Sequence, residues 1–101
     1  MNNLTKRDLY NAKNASAKLE KGLEFVLVAV GSYADKDKDG NEVNVTVLKA
    51  EDGTIYTTIS NTIYESIDML EDILTDEGQV TINVITKKSA GGREYFQLVI
   101  K

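Results

Sequence analysis

The sequence predicts a mainly β domain of five strands, with one α-helix between the third and the fourth. Two observations carry that prediction. Five stretches of seven to twelve residues are rich in β-branched and aromatic side chains or alternate apolar with polar ones. One segment breaks the alternation, placing Ile63, Ile67, Leu70 and Leu74 at i, i+4, i+7 and i+11, a helical stripe.

Taken in order, residues 1–21 form a polar N-terminal arm and residues 22–101 the domain. The arm holds five bases (Lys6, Arg7, Lys13, Lys18, Lys21) and two acids (Asp8, Glu20). Thr5 and Asp8 have capping-box spacing, which predicts a short helix over about 6–13; "KNASAKLEKG" then reads as an arm or linker. "LEFVLVAVGSYA" (23–34) is the first strand, and Gly31 within it marks a bend or bulge. "EVNVTVLK" (42–49) sets Val43, Val45 and Val47 on one face, with Glu42, Asn44 and Thr46 on the outward face. "EDG" (51–53) turns the chain into a third strand, "TIYTTIS" (54–60). The helix follows: Ser60, Asn61 or Thr62 can cap it, Thr62 and Glu65 have capping-box spacing, and Gly78 ends it. "QVTINVIT" (79–86) and "EYFQLVI" (94–100) are the last strands, joined by the loop "KKSAGGR" (87–93). A three-strand meander, a helix and a closing hairpin is the order of a five-stranded OB-like barrel. The competing layout is an open antiparallel sheet with a helix on one face; a bend at Gly31 favours the barrel.

Composition narrows the chemistry. A chain of 101 residues fits one domain, and 42% hydrophobic with 28% charged residues is a globular balance rather than a disordered one. The longest apolar run, "FVLVAV" (25–30), is too short to span a bilayer, and no secretion signal follows Met1, so a cytoplasmic protein without a membrane partner is expected. Histidine and cysteine are both absent, which removes the commonest general base, metal ligand and nucleophile pairs. No cofactor or enzymatic activity is expected, and binding is favoured over catalysis. The net charge of −4 is local: residues 61–77 hold six acids and no base, leaving ten acids against twelve bases elsewhere, a balance of +2. A positive face for phosphates therefore remains open.

"ADKDKDG" (34–40) resembles the start of a calcium loop, with Asp35, Asp37 and Asp39 on alternate positions and then Gly40. Counted from Asp35, however, position 12 is Thr46, where that loop needs a bidentate carboxylate, and both flanks read as strands rather than helices. The stretch reads as a hairpin turn.

OB barrels bind oligonucleotides or oligosaccharides across the second and third strands, between the first-to-second and fourth-to-fifth loops. Here these loops are residues 34–41, which carry Lys36 and Lys38, and 87–93, which carry Lys87, Lys88 and Arg93. Single-strand binders add aromatic rings for base stacking. Tyr33, Tyr56 and Tyr95 are the candidates, with Asn44 and Thr46 as hydrogen-bonding partners; Phe25, Phe96 and Tyr64 are assigned to core or helix packing, and Leu98 and Ile100 to the core. The plainer alternatives are half-buried tyrosines in sheet packing and a solvated hairpin tip.

"YNAK" (10–13), "GLEFVLVAVGSY" ending at Tyr33, "VTVLKAEDGTIYTTIS" (45–60), the acidic helix and "VTINVITKKSAGGREYFQLVI" together resemble the single-stranded DNA-binding proteins of small Salasvirus-type podophages, which replicate by protein priming. The resemblance covers roughly residues 10–100. It implies sequence-independent coating of displaced strands during phage DNA replication in the host cytoplasm, with single-stranded DNA as partner alongside phage replication proteins. It also implies DNA-contacting tyrosines at Tyr33 and Tyr56. The family's further tyrosine in the loop after the first strand has no counterpart in "ADKDKDGNE". Stacking on these rings, with phosphates held by Lys87, Lys88, Arg93 and Lys49, fits both lines of argument. The rival readings are an acidic DNA-mimic inhibitor, suggested by the carboxylate-rich helix, and an OB module for sugars or another protein.

Overall fold

A computed structural model describes residues 4–101. Among these, the elements are α1 (Lys6–Asn14), β1 (Ala17–Lys18), β2 (Glu24–Lys36), β3 (Glu42–Ala50), β4 (Ile55–Thr58), α2 (Asn61–Tyr64), α3 (Ile67–Glu77), β5 (Val80–Lys88) and β6 (Glu94–Ile100). The strands form one sheet in the order β1-β4-β3-β2-β5-β6. It is a mainly β, curled half-barrel, consistent with an OB-like fold, with a sixth strand beyond the five expected. The extra strand is β1, two residues of the polar segment paired in parallel with Tyr56 and Thr57. Two residues are too few for alternation to reveal.

The curl originates in β2. Its first residues, Glu24–Leu27, pair with β5, while Leu27–Lys36 pair with β3, and the β2–β3 register slips between Leu27 and Ala29. An irregularity of this kind bends a strand and lets it serve two halves of a curled sheet. The slip does not fall at Gly31, where the sequence suggests the bend; Gly31 sits in register opposite Val47. Its missing side chain has another use. A Cβ there would lie 2.6 Å from Leu4 Cδ1, so glycine makes room for the N-terminal segment against the sheet.

The sheet packs on both faces. On one side Leu27, Leu48, Ile82 and Val84 meet Ile63, Ile67, Leu70 and Leu74, so the whole predicted helical stripe is buried. The helical segment is divided into α2 and α3 at Glu65–Ser66, and Gly78 ends it at φ +79° with its N–H bonded to the Leu74 carbonyl at 2.8 Å. On the other side Val47 and Ile55 are buried with Ala12 of α1, and Leu4, Leu9 and Tyr33 pack around them. β3 is therefore covered on both sides: Leu48 faces the main core and Val47 faces α1.

Helix α1 begins with a reciprocal capping box. The Asp8 N–H donates to Thr5 Oγ1 at 3.1 Å, and the Thr5 N–H donates to Asp8 Oδ2 at 2.9 Å. The same carboxylate accepts from Lys49 Nζ at 3.2 Å, tying α1 to β3. Burial pushes the Asp8 carboxyl up, but hydrogen bonds from Thr5 and Lys49 and the lysine's charge outweigh it, holding the group below its ordinary value. A carboxyl depressed by folding stabilises fully above its unfolded value of about 3.9, and that stabilisation is lost as pH falls through the folded value. Asp8→Ala is thus expected to cost about 1–2 kcal/mol at pH 7 in urea unfolding, through the lost cap and charged hydrogen bond. The deficit relative to wild type should shrink as pH drops below about 4.

Candidate nucleic-acid interface

The two hairpins that flank the expected binding face are built by local turn chemistry. At the β2–β3 turn the Asp37 N–H donates to the Asn41 carbonyl at 2.9 Å. The Asp37 carboxylate accepts the N–H groups of Asp39 and Asn41, each at 2.9 Å, and Gly40 adopts φ +83°. The aspartate repeat is a hairpin, as its flanks suggest. At the β5–β6 turn the Ser89 N–H donates to Arg93 at 2.8 Å and the Gly92 N–H to Ser89 at 2.9 Å. Lys87, Lys88 and Arg93 are all exposed around that tip.

Between the sheet's two edges the half-barrel is open. Joining them would require a ladder from the β4–β1 edge to β6, and the space is instead approached by α2, which packs near β6. A groove follows this seam. One stretch, of about 430 Å³, is lined by Lys18, Tyr33, Val45, Thr57, Ile59 and Phe96 among others. A second, of about 400 Å³, runs past Thr58–Thr62 to Tyr95 and shares Thr58, Ile59 and Phe96 with the first.

Tyr33, on the interior strand β2, and Tyr95, on the edge strand β6, therefore lie along one groove. Tyr33 is opposite Val45 in the β2–β3 ladder, and Lys13 Nζ of α1 stands 5.1 Å from its ring centroid, a cation–π contact. Burial, and secondarily the Asp35 carboxylate, push its phenol above the ordinary tyrosine range. Tyr95 is opposite Lys87 in the β5–β6 ladder.

Other expected site residues are placed elsewhere. Tyr56 stacks on Phe25, with centroids 4.7 Å apart and planes at 30°, and lines a separate pocket with Glu24, Glu51 and Asp52. Tyr33 and Tyr56 are on opposite faces of the sheet, since Tyr56 packs toward the main core and Tyr33 beside α1. Lys49 is engaged by Asp8. Asn44 is exposed near the β2–β3 tip. Thr46 does not face outward: it is 0% exposed, on the same face of β3 as Leu48, and its Oγ1 has no partner among the described residues. Ile100, expected in the core, is 41% exposed near the end of β6, while Phe96 and Leu98 pack against the core.

The groove also has members that the sequence did not single out. Lys18, which lines it, and Lys13, which stands over the Tyr33 ring, come from the polar segment, whose pairing with β4 has no signature beyond Ala17 and Lys18 themselves. Ile59 reads as a partner of Ile55 on one face, but β4 stops at Thr58 and Ile59 is 59% exposed. No described group of acidic side chains is arranged to hold a metal, and no described helix is long and apolar enough to cross a membrane.

A family model described as phage single-stranded DNA-binding protein, of Phi29 type, matches residues 4–101. The chain belongs to that family. No curated protein and no solved structure matches it. The family binds single-stranded DNA, and membership implies a role in phage DNA replication. In this family member the match begins at Leu4, so it takes in α1 as well as the strands.

The environment of Tyr33 has a measurable signature. In a spectrophotometric titration, Tyr33 should ionise late, above the ordinary tyrosine range. Tyr33→Phe should remove that late step, and Asp35→Asn should bring it earlier, burial being the larger cause and remaining.

Proposed function

We propose that this protein coats single-stranded DNA without sequence preference, holding the strand in the groove along the open seam of an OB-like half-barrel. The observation that carries the reading is the placement of Tyr33 and Tyr95 along one groove, in a chain that belongs to a single-stranded DNA-binding family. Bases stack on the two rings, and every base has a face to offer, which is why stacking tolerates any sequence. Lys18 in the groove, Lys13 beside Tyr33, and Lys87, Lys88 and Arg93 at the β5–β6 hairpin take the phosphates. Asn44 adds a polar contact at the β2–β3 tip. Tyr56 serves the fold through Phe25, and Lys49 serves it through Asp8. The mechanism requires no cofactor and no catalytic group.

The place of action is the cytoplasm of the host bacterium, where displaced strands arise, in company with the phage's replication proteins. The family assignment favours this over an acidic DNA mimic. The net negative charge is carried by one helical segment, and α3 packs against β2 and β5 rather than along the seam.

The test is tyrosine fluorescence during titration with poly(dT) over a range of salt concentrations. Binding should quench emission and weaken with salt, log K falling with log salt at about 0.7 per neutralised phosphate. Tyr33→Ala and Tyr95→Ala should each lower affinity about 5- to 150-fold, the equivalent of about 1–3 kcal/mol per stacked base. Tyr56→Ala should lower the melting temperature more than the affinity. Replacing Lys87, Lys88 and Arg93 together with alanine should reduce the salt slope by about two. A folded protein that fails to bind poly(dT) at low salt would overturn the reading.

A further inference from the structure

We propose that Ile59 is a wedge that parts two neighbouring bases of a bound strand, turning one toward Tyr33 and the next toward Tyr95. The inference rests on the single-stranded DNA reading above and adds a residue to it. Ile59 lines both stretches of the groove, with Tyr33 and Val45 in one and Tyr95 in the other. An isolated exposed isoleucine needs no explanation. This one, 59% exposed, stands in a groove whose other aliphatic walls, Leu19 and Val45, are buried at 6% and 7%.

Its backbone is held on both sides. Thr57 and Thr58 are paired with Val47 and Thr46 in the β3–β4 ladder. After it, the Ser60 N–H donates to Thr58 Oγ1 at 3.2 Å, and the Ser60 carbonyl accepts from the Tyr64 N–H at 3.0 Å at the start of α2. The side chain itself is β-branched and stiff at χ1. A stiff apolar side chain on a fixed backbone, between two aromatic platforms, meets the requirements of a wedge. Isoleucine is among the residues that unstack base steps when inserted into duplexes. In a single strand, parting two bases forfeits their mutual stacking, and stacking on Tyr33 and Tyr95 offsets the loss. Polymers that stack weakly on themselves should then bind better than polymers that stack strongly.

The experiment compares wild type, Ile59→Ala and Ile59→Leu on poly(dT), which stacks little, and poly(dA), which stacks strongly. Tyrosine quenching reports binding, and circular dichroism of poly(dA) reports base stacking. Wild type should prefer poly(dT) and diminish the stacked signal of poly(dA) at saturation. Ile59→Ala should keep the wild-type melting temperature and lose about tenfold in affinity for poly(dT). It should also narrow the preference between polymers and leave the poly(dA) signal nearly intact at saturation. Ile59→Leu, which keeps the bulk, should behave like wild type. Wild-type affinity in Ile59→Ala, or a wild-type loss of poly(dA) stacking at saturation, would overturn the wedge while leaving the single-stranded DNA reading in place. Wild type binding neither polymer would overturn that reading, and the wedge with it.

Discussion

Strand β2 belongs to two ladders, and the slip between Leu27 and Ala29 is where it passes from one to the other. Before the slip it is tied to β5 and after it to β3, so the two halves of the sheet are held at an angle set by this one strand. Leu27, fully buried and paired in both ladders, sits at the joint. Because the halves are angled, the chain following β4 can approach β6 without pairing with it. The groove exists in that interval. Its walls come from β1, β2, β3, β4, α2 and β6 and from the segment between β4 and α2, elements far apart in sequence that only the curl brings together.

The same geometry leaves the outer side of β3 and β4 bare, and α1 covers it. That packing explains an otherwise odd set of residues. Gly31 yields space to Leu4, Ala12 is small enough to lie against Val47 and Ile55, and Asp8 is buried where Lys49 can reach it. A buried carboxylate is a net cost unless it is paired and hydrogen-bonded, and here it is both. The packing also brings Lys13 to the face of Tyr33, so the helix that stabilises the sheet also sets the electrostatics of one wall of the groove. Stability and site are coupled through α1.

These features explain which parts of the structure were legible in the sequence. The helical stripe from Ile63 to Leu74, the hairpins at Asp37–Asn41 and Ser89–Arg93, and the stop at Gly78 depend on residues within a few positions of one another, so spacing revealed them. Thr46 was misplaced because alternation in "EVNVTVLK" gives two faces but not which one meets water. With α1 over one face and the main core on the other, Thr46 and Val47 are both buried. The separation of Tyr33 from Tyr56 was hidden for the same reason, since both stand on strands but on opposite faces of the sheet. The open seam was invisible because nothing local in "TIYTTIS" or "EYFQLVI" says whether the two strands will pair.

That seam bears on what kind of ligand the fold can take. Thr58, Ile59 and Phe96 cannot both complete a ladder and line a groove, because a ladder would draw the backbones to about 5 Å and leave no room between them. Leaving the edges apart exposes backbone groups and apolar side chains that a closed barrel would satisfy. Here β1 covers part of the β4 edge, α2 stands near β6, and Ile59 remains uncovered. A compact, fully ordered ligand would need an enclosed pocket, whereas the groove is open, with Tyr33 on one stretch, Tyr95 on the other and Phe96 on both. Under the proposed function the ligand is an extended chain of flat apolar rings on a charged backbone, which an open groove can take along its length.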